Sequence, residues 1–346
     1  MALFCNQPPT ILVDELELGL TDNHALANAF GIDKFMARDP ENPVDRLSCT
    51  MAAMARTSDT ILASGTLFED VWLGLCGTFA QIWNCNQLRR IQSGPSDSQQ
   101  HAIQRQAVMH RLEVWQRRLQ GLADLTNEPV RSGGPTNCLL RTYRGEEDTN
   151  TPGWEHIVKD RISIHLFNVN LFYHLLGLHS SADIKTMAAM TLGSWSMTGA
   201  PPAKPDAMAD ERIGRWSLTP EGRLGVLHAL HLLETYQSSP GVPGQQALDP
   251  IGLVALATAG TVMCCWIHSG RIVCHCGEEN LPNLLVDVVS AENRWVRYGG
   301  AVAVDGTPLC ICSSTTWMAR FARILAQRGR GWGVVDDMVQ RWQVSS

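Results

Sequence analysis

The 17 residues from Ile251 to Ile267, IGLVALATAGTVMCCWI, carry no charge, and a run of that kind is at home only in a bilayer or in a protein interior. It sits at the lower limit of the roughly 17–25 residues that span a membrane, it is interrupted by glycine, and no basic cluster flanks it. A buried core helix is therefore expected, with no membrane contact. The segment from Gly153 to His179 makes a related demand. It begins amphipathic and becomes apolar on every side, with Ile162, Leu166, Val169, Tyr173 and Leu176 on one stripe and Ile164, Phe167, Leu171 and Leu175 on another. A helix apolar all round is a buried one.

Helical periodicity fills most of what surrounds these two segments. A first helix is read from about Asp45 through Leu62. A second, from Leu67 to about Leu88, places Val71, Leu75, Phe79 and Ile82 on one stripe, with Trp72, Cys76 and Trp83 beside it. A third, about Gln99 to Leu122, opposes Val108, Leu112, Trp115 and Leu119 to a polar face of Arg105, His110, Arg111, Arg117 and Arg118. Without interleaved aromatic residues that basic face reads as solvated rather than as a nucleic-acid surface. Thr219-Pro220-Glu221 opens a helix running to about Tyr236: threonine caps, proline suits the first turn, and glutamate meets the positive dipole end. Asp249-Pro250 opens the uncharged helix, Asn280-Leu-Pro282 opens another toward Trp295, and helical patterns at about Ser314 to Gln327 and Trp332 to Trp342 close the chain. The strand-like pieces, Val296 to Val304 and Leu309 to Ile311, are too short to define a sheet. The expected fold is all-α, one large multi-helix domain over residues 1–346. Its best internal seam is the Gly-, Pro-, Thr- and Asn-rich stretch 126–152, read as a long loop.

With 45% hydrophobic and 18% charged residues, against roughly 25% charged in an average globular protein, much surface is expected to be packed away or used for association. The balance of 28 Lys plus Arg against 34 Asp plus Glu, a formal charge of −6, supplies no drive toward a phosphate backbone, so direct nucleic-acid binding is not expected. Eleven cysteines is an odd number. Several lie in apolar helical pattern, and no basic segment followed by an apolar stretch opens the chain, so reduced thiols and an intracellular location are expected.

Three constellations are candidates for chemistry. The densest soft-ligand set is Cys264, Cys265, His268, Cys274, His275 and Cys276, with Cys310 and Cys312 later. Zinc pairs usually leave two to four residues between ligands, whereas Cys274-His-Cys276 and Cys310-Ile-Cys312 leave one, so no metal is expected. His228, His231 and Glu234 recur every three residues along one helix face, without the His-Glu-x-x-His spacing of a metal site, and are read as a polar helix face. His165 and His174 sit in the all-apolar helix. With Trp266 they are the residues chosen here for the wall of an apolar ligand pocket, where a buried polar group fixes the orientation of a greasy ligand. No Gly-x-Gly-x-x-Gly, phosphate loop, Gly-x-Ser-x-Gly elbow or acidic metal-diphosphate motif is found, so no cofactor is expected.

Four segments carry a resemblance: Ala2-Leu-Phe-Cys-Asn-Gln-Pro-Pro9 with Asp14-Glu15-Leu16; Leu67-Phe68-Glu69-Asp70-Val71-Trp72; His165-Leu-Phe-Asn-Val-Asn-Leu-Phe-Tyr-His174; and Gly331-Trp332-Gly333. In this order they resemble the regulatory (middle homology) domain of fungal-specific zinc-finger transcription factors. The resemblance implies an all-helical fold, fungal origin, and control of transcription, often of secondary-metabolite genes. It does not bring DNA recognition with it, because these residues hold neither a six-Cys binuclear cluster nor a paired-Cys, paired-His finger, and Cys5 and Cys49 lie far apart. The expectation is a stand-alone regulatory module, nuclear, that binds a partner transcription factor or an apolar small molecule. The alternative is a cytoplasmic enzyme recruited from the same scaffold. A cyclase or Diels-Alder-type pericyclase acting on an apolar terpenoid or polyketide intermediate runs on proximity and orientation and leaves no motif.

Overall fold

The computed structural model describes residues 67–91, 95–127, 134–145, 148, 151–191, 207–238, 250–269, 274, 277–278, 281–285, 290–329, 335–336, 339–340 and 342. The helix read at Asp45–Leu62, the opening and closing segments of the resemblance, and His275 and Cys276 lie outside them. The described chain is all-α: ten helices and one two-stranded hairpin of two residues per strand. It divides into two compact units, residues 1–173 and 174–346, with the division falling inside a single helix.

In the first unit, helices α1 (Phe68–Ile91) and α2 (Pro95–Asn127) pack on each other. The stripes read from sequence form the seam: Val71, Leu75 and Ile82 of α1 and Val108, Leu112, Trp115 and Leu119 of α2 are all buried. The α2 face with His110 and Arg117 stays exposed. At Gly74 the two helices approach closely, since a Cβ there would collide with the Trp115 ring. Buried Asp70 begins α1 by reaching back to the Leu67 amide (2.8 Å), an acceptor for a donor that helix geometry leaves unpaired. The stretch 126–152 is not one long loop: α2 persists to Asn127, and α3 (Pro135–Thr142) forms behind Gly134 with proline in its first turn. Below α3, Asp148 accepts from the Gly145 amide (2.7 Å) and from Arg161 (2.9 Å) on α4 (Trp154–Ser181). The Arg161 hydrogen bond is the main cause holding the Asp148 carboxyl below its usual range. Asp148 is buried but Arg161 keeps partial exposure, so the pair is screened on one side and belongs near the pairs of about 0–1 kcal/mol.

Helix α4 is less uniformly buried than its sequence suggests. From Leu171 to Leu178 every residue except His174 is buried, while Ile164, Leu166 and Phe167 keep partial exposure.

The second unit is arranged on α8 (Pro250–His268), against which α5 (Ile184–Thr191), α6 (Ala207–Ser217), α7 (Pro220–Ser238) and α10 (Ser314–Arg328) pack. Among the described residues, Ile251–His268 is the one stretch long and apolar enough to cross a membrane, and 83% of it is buried inside the protein. Helices α5 and α6 were not anticipated, since eight and eleven residues carry too few apolar repeats to stand out. The Trp216 indole of α6 donates to the Ser181 carbonyl (2.8 Å), and the Trp266 indole of α8 donates to the Ser217 carbonyl (3.1 Å). Both polar tips thus bridge helix ends. Thr219 caps α7 as its sequence predicts, accepting from the Gly222 amide (3.1 Å) while its hydroxyl donates to the Trp216 carbonyl (2.8 Å). Thr219→Ala is expected to cost about 0.5–2 kcal/mol, read from the urea midpoint at unchanged slope.

The helix expected from Asn280 toward Trp295 is shorter and later: α9 spans Ser290–Tyr298. The Pro282 carbonyl accepts from the Ala303 amide (2.9 Å) and the Leu284 amide donates to Ala303 (2.8 Å), so these backbone groups serve a neighbouring strand rather than a helix. The strand-like reading from Val296 is corrected likewise. Val296 to Tyr298 complete α9, and pairing is confined to β1 (Ala303–Val304) and β2 (Thr307–Pro308). The turn between them is Asp305-Gly306, both at positive φ (50° and 73°), a two-residue hairpin turn of the Asp-Gly kind.

Candidate functional site

Helix periodicity alone puts His228 and His231 one turn apart on α7, but the site exists because α4 delivers a third imidazole. His174 Nδ1 lies 3.0 Å from His228 Nδ1, and its ring stacks on that of His231 with centroids 5.2 Å apart and planes at 25°. His231 Nδ1 in turn faces Glu234 Oε2 at 3.6 Å, at the exposed end of the row. Gly177 makes room for this arrangement: a Cβ there would collide with the His228 ring. The close Gly177–His228 packing is a reason for glycine inside a helix, where it otherwise costs about 1 kcal/mol.

An Nδ1-to-Nδ1 contact has one chemical solution at neutral pH. One ring carries the Nδ1 proton and donates it, and the other accepts. Charging both rings would set two cations 3.0 Å apart with no shared proton. Burial and the neighbouring imidazoles both disfavour charge. His228, 6% exposed, is pushed down to about 3, by burial first and then by His231. His174 is held well below its ordinary value by burial first, then by His231 and His228. His174 and His228 thus form a neutral, polar pair, with His231 stacked on His174 and Glu234 at the exposed end of the row.

The residues chosen as a pocket wall go to different surroundings. His165, in the first unit, lies against Phe68 (centroids 6.2 Å, 16°) and Tyr143 (5.5 Å, 44°). Tyr143 is itself fixed, its hydroxyl donating to Glu69 (2.6 Å) and accepting from the Phe68 amide (3.0 Å), and burial with the Glu69 charge drives its ionisation far up. In the second unit, Trp266 is buried edge-on to Trp295 at 6.1 Å, and its hydrogen bond to Ser217 gives it a packing role. His174 is brought to His228 and His231, joining two groups that sequence reading kept apart. Nothing in sequence spacing announces that meeting, although Gly177, three residues past His174 in an apolar helix, was a usable sign of close approach.

The cysteines separate by environment. Cys264 and Cys265 are buried in α8, where burial pushes the Cys264 thiol up to about 11 and holds the Cys265 thiol well above its ordinary value, so they behave as inert small hydrophobes. Cys274, Cys310 and Cys312 are gathered elsewhere, with all three sulfurs within 4.8 Å of one another.

No protein-family model, curated protein or solved structure matches this chain.

Proposed function

We propose that this chain is a regulatory module of the fungal transcription-factor type, acting through a bound apolar effector or a partner transcription factor rather than through DNA contacts of its own. The observation that carries the reading is the neutral His174–His228 pair, with His231 stacked on it, set among apolar residues of an all-helical body. Imidazoles kept uncharged at neutral pH orient a ligand by hydrogen bonding without demanding that it be ionic. The acidic balance of the chain fits a protein that reaches genes through a partner. On this reading it works in the nucleus, in the control of secondary-metabolite genes.

Deleting the gene and replacing it with a His174→Ala, His231→Ala double variant tests the proposal. Transcripts of the neighbouring biosynthetic genes are expected to fall in the deletion and to stay low with the variant, provided the variant accumulates to the wild-type level. Unchanged transcripts, with build-up of one uncyclised intermediate, would replace the regulator by a pericyclase-type enzyme on the same scaffold.

A further inference from the structure

The thiols of Cys274, Cys310 and Cys312 come from parts of the chain that share no regular element. Cys274 lies in the segment that follows α8, and Cys310 and Cys312 lie 36 and 38 residues on, at the end of the β-hairpin. Their geometry is built by the hairpin and by what holds it. The Leu309 amide donates to the Val302 carbonyl (3.0 Å), which carries the pairing past β2 to the residue before Cys310. Cys310 then begins a single 3-10 turn, Ile311–Ser313, closed by the Ser313 amide donating to the Cys310 carbonyl (3.1 Å). That turn swings the side chains of Cys310 and Cys312 to one side.

Helix α10 fixes the hairpin from below. The Trp317 indole donates to the Pro308 carbonyl (2.9 Å), Arg320 donates to the Thr307 hydroxyl (2.9 Å), and the Arg320 guanidinium lies over the Trp317 ring at 4.8 Å. Cys310 is fully buried while Cys274 and Cys312 are exposed, so the group has one anchored sulfur and two that face solvent.

The three sulfurs are close enough together to share one metal ion. With zinc–sulfur bonds of about 2.3 Å in tetrahedral array, ligand sulfurs stand about 3.8 Å apart. Here the Cys274–Cys312 separation is 3.2 Å and all three sulfurs lie within 4.8 Å of one another, so the Cys274–Cys312 pair needs to open by about 0.6 Å to take up the tetrahedral spacing. Soft thiolates select zinc among the abundant divalent ions. The one-residue gap in Cys310-Ile-Cys312 pointed away from zinc only as long as the ligands were taken to pair in sequence. Folding supplies the third from a distant segment.

We propose that Cys274, Cys310 and Cys312 supply three thiolate ligands to a zinc ion. Binding converts three thiols and one zinc ion into a complex of net charge −1 and releases three protons to solvent, so affinity rises steeply with pH. The ion ties the segment after α8 to the hairpin, closing a long loop through side chains rather than backbone.

The test uses the full chain, purified with its thiols reduced and stripped of metal with a chelator. Zinc is titrated against a chromophoric competitor, and cobalt is used separately as a spectroscopic stand-in. One zinc per chain is expected, and cobalt is expected to give thiolate-to-metal charge-transfer absorption. Cys274→Ser and Cys312→Ser should each weaken zinc binding by more than the roughly 10–100-fold that loss of an outer-shell partner costs. Cys85→Ser, in the first unit, should leave it unchanged. Both exposed positions tolerate serine sterically, and circular dichroism checks that each variant keeps its helices. The proposal is overturned if the reduced wild-type chain takes up no zinc, if both serine variants keep wild-type affinity, or if Cys274 and Cys312 are found as a disulfide in place of metal. These outcomes are read from metal content and spectra, so they stand or fall apart from the transcript measurements.

Discussion

Acidification from pH 7 to pH 4.5 is expected to cost the fold about 3 kcal/mol through His228 alone, at about 1.36 kcal/mol for each pH unit below the ordinary histidine pKa of about 6.5. The folded chain keeps His228 neutral down to about 3, whereas the unfolded chain protonates it near its ordinary value of 6.5. The unfolded state therefore holds more protons throughout that window. Stability is level above pH 7, begins to fall near 6.5 and continues falling toward 3. His174 is displaced in the same direction for the same reasons and adds to the slope. His231 faces the pair, and Glu234 lies beyond it. Neither offers a buried carboxylate contact that would rescue an imidazolium.

Urea unfolding at pH 7, 5.5 and 4.5, followed by far-ultraviolet circular dichroism, reads this directly. Paired with it, a His174→Asn, His228→Asn double variant is expected to be less stable at pH 7 but much flatter between pH 7 and 5.5, a range above most carboxylate titration. If wild type and double variant lose stability in parallel, the imidazoles are not held neutral by the fold.

Trp115→Ala is expected to destabilise the α1–α2 unit by about 3–5 kcal/mol, the range for removing a large buried aromatic side chain. Trp115 is 0% exposed, and its ring is seated where Gly74 opens the surface of α1. Its indole N–H has no hydrogen-bond partner among the described residues, so its contribution is shape, apolar area and the Arg118 guanidinium lying over its ring at 5.6 Å. Trp115→Phe should accordingly lose much less, since it leaves no polar group stranded.

The complementary change is Gly74→Leu. Removing a helix-interior glycine gains about 1 kcal/mol, but the new side chain enters the volume of the indole, and overpacking costs about 1–3 kcal/mol. Each single variant should be destabilised, and the double variant Gly74→Leu, Trp115→Ala should recover part of the loss through a coupling of about 0.5–3 kcal/mol. Strict additivity would mean that the two positions do not share the space assigned to them.

The parts of this chain legible in its sequence are those where one element decides its own fate. The stripes of α1 and α2, the Thr219 cap, the proline starts of α7 and α8 and the burial of Ile251–Ile267 all follow from spacing and side-chain chemistry within a single helix. The errors fall where backbone groups found partners far along the chain. Leu281–Leu285 reads as a helix start, yet it pairs with β1 because the Ala303 amide and carbonyl were there to be satisfied. Short helices α5 and α6 were missed because a few apolar residues cannot display a period.

The candidate sites divide along the same line. Sequence alone determined that the molecule is helical, that α8 and the second half of α4 are buried, and that His228, His231 and Glu234 share a helix face, since each depends on periodicity and the cost of exposing apolar surface. Only the tertiary structure decided that His174 completes the histidine row, that His165 and Trp266 lie in separate aromatic surroundings, and that Cys274 meets Cys310 and Cys312. The histidine and cysteine meetings join residues 36 to 57 positions apart. Chain separation carries no distance information once a chain has turned back on itself, so it was packing, with glycines such as Gly177 allowing close approach, that chose which polar groups would face one another.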